Sequence, residues 1–179
     1  MHAYKVLNGG RSEFTGLQWP LPAAGQPGHW VHASGPLALC VNGIHASTTE
    51  QLPHWLGAEI WEIELDGDVV VADAALVASS ARLVRRIDAW DEPVRRRFAQ
   101  ACLERACAIA ERHPAGEGLV DNVRYAMNSA AAAPAGYWTA VLAGESDTGR
   151  RSGRDYDEAF LRERAIQAQW LRRELELTD

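Results

Sequence analysis

The stretch that decides the fold is AEIWEIELDGDVVVAD, residues 58–73. Apolar and acidic residues alternate strictly through WEIEL (61–65), which is the pattern of a half-buried β-strand. Asp66-Gly67 then predicts a tight turn, and Val69–Ala72 predicts a second strand. The stretch therefore predicts an antiparallel hairpin with one apolar face.

A second hairpin is predicted in LCVNGIHAS (residues 39–47), where Asn42-Gly43 separates two short apolar runs. Across a two-residue loop Cys40 lies directly opposite His45, with Cβ atoms roughly 4.5–5.5 Å apart. An imidazole at that distance can take the proton of the thiol, so we expect His45 as acid–base residue and Cys40 as nucleophile or orienting partner. The alternative is a buried cysteine that packs beside a hydrogen-bonded histidine.

Three charged residues extend this candidate site. Glu62 and Glu64 project from the polar face of their strand, where a carboxylate can orient His45 or act as a general base. Lys5, in the strand candidate AYKVL, can supply a cation for an anionic substrate. The alternatives are a solvated strand face for the carboxylates and a protective edge-strand lysine.

Further binding residues are predicted on both sides of the second hairpin. Ser47 and Thr48 precede a short helix that ends at Gly57, and its free N–H groups can hold a phosphate or carboxylate. Trp30 can stack on a flat or polar small molecule.

A bound metal is the competing chemical interpretation. Enough nitrogen and sulfur ligands for zinc are present in one region: His29, His32, Cys40, His45 and His54. Their spacing matches no standard zinc finger, so we expect no metal site and no cofactor, with zinc or NAD as the alternatives.

The second half of the chain has helical periodicity from about residue 80. Asp91 is the predicted N-cap of a helix that ends before Pro114, and further helices are predicted over 118–133 and 155–175. Arg105 interrupts an apolar stripe, and we expect it to pair with Glu163 or another acid between the helical and sheet layers. The alternative is that this edge of the stripe is exposed to solvent.

Strands that precede helices predict an α+β fold, with an N-terminal antiparallel sheet packed on a C-terminal helical layer. The expected organisation is a single domain, residues 1–179, with a β-rich lobe (1–80) and a helical lobe (81–179). The length is within the range of one domain.

The net charge and the cysteine content indicate which classes of binding partner and compartment to expect. The net charge is −6 and the pI is about 5.5, which argues against binding to nucleic acid or to anionic membranes. No signal peptide or membrane-spanning run is expected, and three cysteines without disulfide-like spacing predict reduced thiols in the cytoplasm. The expected partner is a small-molecule substrate, and the oligomeric state is left open.

The N-terminal half, roughly residues 3–72, resembles a loose family of uncharacterised bacterial and phage proteins. The resemblance rests on Tyr4-Lys5, on Phe14-Thr15-Gly16, on GPLALCVNGIHA (35–46) and on EIWEIELDG (59–67). Members often carry a second cysteine after His-Ala, where this chain has Ser47. The helical half, through RLVRRIDAW and ERAIQAQWL, resembles an extension in actinobacterial members. The family brings no established activity.

A second resemblance is to the ADP-ribosyltransferase-like fold. Some members place Gly-x-His-x-Ser-Thr on a strand that leads into a short helix and another strand, and residues 43–67 are similar in layout. This resemblance implies that His45 and Ser47 line a nicotinamide or phosphate pocket.

We therefore expect a small cytoplasmic enzyme that performs acid–base or group-transfer chemistry on a small polar molecule at a cleft around Cys40 and His45. Two alternatives stay open at this point. One is an ADP-ribosyltransferase-like NAD-binding protein, and the other is a non-catalytic binding or interaction module.

Overall fold

The computed structural model describes residues 3–112, 121, 132–148 and 153–178. Within these ranges the N-terminal strands form an antiparallel sheet, and the C-terminal part contains three helices whose bounds are described, so the predicted α+β class is confirmed. The elements are β1 (Ala3–Leu7), β2 (Val31–His32), β3 (Ile44–Ala46), a 3-10 helix (Leu52–His54), β4 (Glu59–Val71), β5 (Leu76–Arg86), α1 (Glu92–Ala110), α2 (Ala132–Thr148) and α3 (Arg154–Leu175).

The chain divides into two compact units. The first, the sheet unit, comprises residues 1–90 and 175–179, and the second, the helical unit, comprises residues 91–174. The predicted onset of helical periodicity near residue 80 is wrong, because β5 continues to Arg86. Ala81 and Leu83 are buried while the residues between and after them are less so, which is the two-residue period of a strand.

The sheet of the first unit closes on itself. β4 pairs with β1 on one side and with β5 on the other, and β5 pairs in turn with β2 and β3. Tyr4 of β1 and Ser47, directly after β3, then exchange two backbone hydrogen bonds of 2.8 Å. The inner face of this closed sheet holds one apolar cluster: Ala3, Leu7, Trp19, Ile44, Ala46, Trp61, Ile63, Leu76, Ala81 and Leu83.

The predicted turn at Asp66-Gly67 is wrong, because β4 is one continuous strand of 13 residues. The register with β5 shifts between Asp66 and Val69, so the dipeptide forms a β-bulge. Gly67 has a φ of +71°, which glycine adopts readily, and the N–H of Asp68 donates to Ser79 Oγ at 2.9 Å. The hairpin closes four residues later, where the Ala72 N–H donates to the Ala75 carbonyl.

The predicted hairpin at Asn42-Gly43 is also wrong. Residues 38–42 form a turn, closed by a hydrogen bond from the Ala38 N–H to the Asn42 carbonyl. The Asn42 side chain donates to the carbonyls of Ser34 and Pro36, both at 2.9 Å, and thereby fixes the loop instead of a strand. The residues expected to pair with the first arm, 44–46, pair with β5.

The helical unit begins as predicted, since the Asp91 side chain accepts a hydrogen bond from the Val94 N–H at 2.8 Å. The helix predicted over 118–133 lies, apart from residues 121, 132 and 133, outside the described residues. None of the helices in the described ranges is both long and apolar enough to cross a membrane.

The predicted pairing of Arg105 with Glu163 is confirmed, and both residues belong to the helical unit. Arg105 Nε lies 2.8 Å from Oε1 of Glu163, and Nη2 lies 2.5 Å from Oε2, so the contact is bidentate. The Glu163 side chain is 2% exposed, whereas that of Arg105 is 41% exposed. The guanidinium therefore neutralises a carboxylate that has almost no access to water.

We predict that Arg105→Ala lowers the free energy of unfolding of the helical unit by about 1.5–3 kcal/mol, because it leaves the Glu163 carboxylate buried without its partner. Urea denaturation followed by circular dichroism measures this change. The matched control is Arg162→Ala, which breaks an exposed pair with Asp147 and is expected to change stability by less than about 1 kcal/mol. Equal effects of the two substitutions would contradict the prediction.

Candidate functional site

His45 occupies the middle of β3, where Ile44 and Ala46 face the apolar cluster and the imidazole points the other way. Its Nε2 accepts a hydrogen bond of 2.8 Å from the backbone N–H of Cys40. Its Nδ1 lies 3.2 Å from the carbonyl oxygen of Gly43. Both contacts are satisfied together by a neutral ring that carries its proton on Nδ1.

The surroundings of His45 keep the ring neutral. Burial lowers the pKa of His45 below its ordinary value of 6.5, and the positive charge of Lys5 lowers it further. The hydrogen bond to the Gly43 carbonyl acts in the opposite direction and is the weakest of the three causes.

Cys40 is brought to His45, as the sequence predicts, but through a different atom. The contact uses the backbone N–H of Cys40, which has a left-handed φ of +59° at the tip of the 38–42 turn. Because this N–H occupies the Nε2 lone pair, the ring can take a proton from the thiol only after the hydrogen bond breaks. His45 therefore braces a strained turn, and the exposed thiol is not paired with a base through this contact.

Lys5 lies on the inner face of the closed sheet. In β1 it is flanked by the core residues Ala3 and Leu7, and it is opposite Trp61 in the register with β4. Its Nζ donates a hydrogen bond of 2.7 Å to the backbone carbonyl of His45 and lies 5.6 Å from the ring centroid of Trp19. Lys5 as a whole residue has intermediate exposure.

Burial lowers the pKa of Lys5 from its ordinary value of 10.5 to about 8. No ion pair of Lys5 occurs within the part of the chain that the structure describes. A signal for this site is present in the sequence, because Lys5 is the only lysine among the 18 lysine and arginine residues of the chain. The amino-acid composition alone therefore distinguishes Lys5 from the arginines of the chain.

Ser47 and Thr48 lie next to this site, but their polar backbone groups are used by the fold. Ser47 is buried and pairs with Tyr4, the neighbour of Lys5. The N–H of Thr48 donates to Gln51 Oε1 at 3.0 Å. The following 3-10 helix has three residues, too few for the anion-binding helix terminus that the sequence predicts.

The remaining predicted site residues, Glu62, Glu64 and Trp30, belong to a separate cluster. Glu62 and Glu64 project from the face of β4 opposite to that of Trp61, where Arg85 and Arg82 of β5 hold them at 2.6 and 2.7 Å. The guanidinium of Arg82 also lies 4.7 Å from the ring centroid of Trp30. These contacts stabilise the outer surface of the β4–β5 pair, and they do not join the two carboxylates to His45.

The alternative zinc site is not assembled in the described residues. No group of three or more histidine, cysteine, aspartate or glutamate side chains in those ranges is arranged to hold a metal ion. The imidazole of His45, one of the proposed ligands, instead contacts Cys40 and Gly43 through its two nitrogens.

We predict that His45 titrates below 6.5 and that the Cys40 amide loses protection from hydrogen exchange as the ring becomes protonated. Because the pKa is lower in the folded than in the unfolded protein, this contribution to stability is complete above pH 6.5 and is lost as the pH falls through the folded-state value. NMR titration of the ring and the amide measures both. A His45 pKa above 6.5 would contradict the structure of the turn.

A second prediction concerns the charge of Lys5. Burial penalises its ammonium form, so Lys5→Met is expected to raise the free energy of unfolding by about 1–2 kcal/mol at neutral pH. This value is smaller than the full pKa shift implies, because Lys5 is of intermediate exposure and solvent screens part of the effect. The unfolded chain binds more protons than the folded chain between pH 8 and 10.5, so the wild type regains stability across that window. Denaturation of both proteins across that range measures the convergence, and a constant difference would refute the lowered pKa.

No protein-family model, curated protein or solved structure matches this chain. The resemblances based on GPLALCVNGIHA and on residues 43–67 therefore stay predictions. The function of the site has to be inferred from its own geometry.

Proposed function

We propose that this protein is a small enzyme that performs acid–base or group-transfer chemistry on a small polar molecule, with the amine of Lys5 as the reacting group. The observation that carries the proposal is the position of Lys5 Nζ on the inner face of the closed sheet, held by one backbone carbonyl. Cys40 and His45, the residues expected from the sequence, then serve to position the strand that supplies this carbonyl.

A lysine acts as a base or nucleophile only in its neutral form, which has a free lone pair. With a pKa of about 8, the amine is neutral in about 10% of the molecules at pH 7, about 300-fold more than at the ordinary value of 10.5. Burial thus provides, near neutral pH, a population of reactive amine that a surface lysine lacks.

The choice of residue type supports the same function. Arginine holds anions well but is not deprotonated in proteins, whereas lysine shifts its pKa when it is buried. Apart from Lys5, the 18 lysine and arginine residues are all arginines, including Arg85 and Arg82, which pair with Glu62 and Glu64. Lysine is therefore used at the one position where loss of the proton has a chemical use.

We predict that trinitrobenzenesulfonate arylates Lys5 with a pH midpoint of about 8, as the neutral amine displaces sulfite. Peptide mapping separates the product at Lys5 from that at the N-terminal amine. Lys5→Arg keeps the charge, Lys5→Met keeps the approximate length, and both should leave only the N-terminal product. A midpoint near 10.5 would overturn the proposed function.

Binding of a small anion without chemistry is the second candidate. It is favoured by the ammonium form of Lys5, which has three donors and uses one of them on the His45 carbonyl. Inorganic phosphate or acetate would then raise the pKa of Lys5, since a bound anion favours the charged form. A raised value together with no arylation at neutral pH would favour this binding module over the enzyme.

A further inference from the structure

The surroundings of Lys5 Nζ combine one polar contact with one neighbouring aromatic ring. Trp19 lies beside the amine, and Trp61 is its cross-strand neighbour. The indole N–H of Trp19 donates to Ser12 Oγ at 2.8 Å, and that of Trp61 donates to Glu59 Oε2 at 3.1 Å. Because both indole N–H groups are used, the two tryptophans present apolar ring surface rather than free donors.

We propose that the substrates of this site are small aldehydes or ketones, and that Lys5 Nζ forms an imine with their carbonyl carbon. This inference rests on the proposed function, since it requires the reactive amine. The geometry that carries it is a primary amine on the inner face of the closed sheet, fixed by the His45 carbonyl and bordered by Trp19.

The step balances without an oxidant or a second substrate. The lone pair of the neutral amine attacks the carbonyl carbon, the C=O π bond breaks, and a proton passes from nitrogen to oxygen to give a carbinolamine. Loss of the hydroxyl group with the remaining amine proton releases water and forms the C=N bond. Protonation of the imine nitrogen then makes it an electron acceptor for the attached carbon.

The surrounding backbone donors favour a carbonyl substrate over an acyl or phosphoryl group. Acyl and phosphoryl transfer develop negative charge on oxygen, which N–H donors have to stabilise. Three backbone N–H groups of the neighbouring segments are already engaged, those of Cys40, Thr48 and Gly10. In carbinolamine formation the proton that the attacking nitrogen loses passes to the oxygen and neutralises the charge that such donors would otherwise stabilise.

Burial of the Lys5 amine also suits an imine, because hydrolysis reverses its formation. Limited access of water slows this reversal. The titratable groups on the strands around Lys5 include His45 on β3, whose imidazole points away from the apolar cluster, and Glu59 on β4, which accepts from Gly10 and Trp61. Arg86 Nη1 lies 3.9 Å from Oε1 of Glu59, and burial is the cause of the lowered pKa of Lys5.

The experiment uses pyruvate and propanal separately, each with sodium cyanoborohydride at neutral pH, and reads the adducts by peptide mass mapping. The N-terminal amine is an internal control, because an α-amino group has an ordinary pKa of about 7.7–8.0, close to that of Lys5. We expect Lys5 to be trapped about tenfold faster or more in the folded protein, and the preference to disappear in urea. Lys5→Arg should give the N-terminal adduct alone.

The outcomes separate the two proposals. Arylation of Lys5 with a midpoint of about pH 8, but carbonyl trapping no faster than at the N-terminal amine, would overturn the imine and leave the proposed function standing. Absence of both reactions at Lys5 would overturn both. If Lys5→Arg folds poorly, Lys5→Met provides the same control without the buried charge.

Discussion

The structure of the sheet unit depends on the pair of backbone hydrogen bonds between Tyr4 and Ser47. Without them β3 is attached only to β5, and the path of pairing strands is open. With them, Lys5 lies one residue from the closure on β1 and His45 two residues from it. The ammonium group can therefore reach the His45 carbonyl, although 40 residues separate the two in sequence.

This closure has a consequence for charge. The side chain at position 5 lies on the same face as Ala3 and Leu7 and faces the apolar cluster. A lysine there makes the folded protein less stable than an apolar residue of the same length would. The helical unit treats a buried charge in the opposite way, because Glu163 receives a bidentate arginine. Among the described residues, Lys5 has no ion pair, whereas Glu163 has one with Arg105.

Local signals predicted those features whose partners are close in sequence or on a helix face. The Asp91 cap depends on the next three residues, and the pairing of Arg105 with Glu163 follows from helical periodicity. The two predictions of hairpin turns were wrong for a common reason. Asn42-Gly43 and Asp66-Gly67 are strong turn signals, but pairing with β5 overrides both, since β3 pairs with this distant strand and β4 continues its pairing with β5 through a bulge. Lys5 could be proposed as a binding residue, but its contact with His45 depends on closure of the sheet, which no short-range pattern encodes.

The sheet unit is discontinuous in sequence, since residues 175–179 belong to it and the helical unit lies between. Thr178 completes it by accepting a hydrogen bond of 2.8 Å at its carbonyl from the Tyr4 hydroxyl, and its N–H lies 3.2 Å from the same oxygen. During synthesis on the ribosome, β1 therefore emerges long before its last partner does. The helical unit is continuous in sequence, whereas the sheet unit has all of its hydrogen-bond partners only when residue 178 has left the exit tunnel.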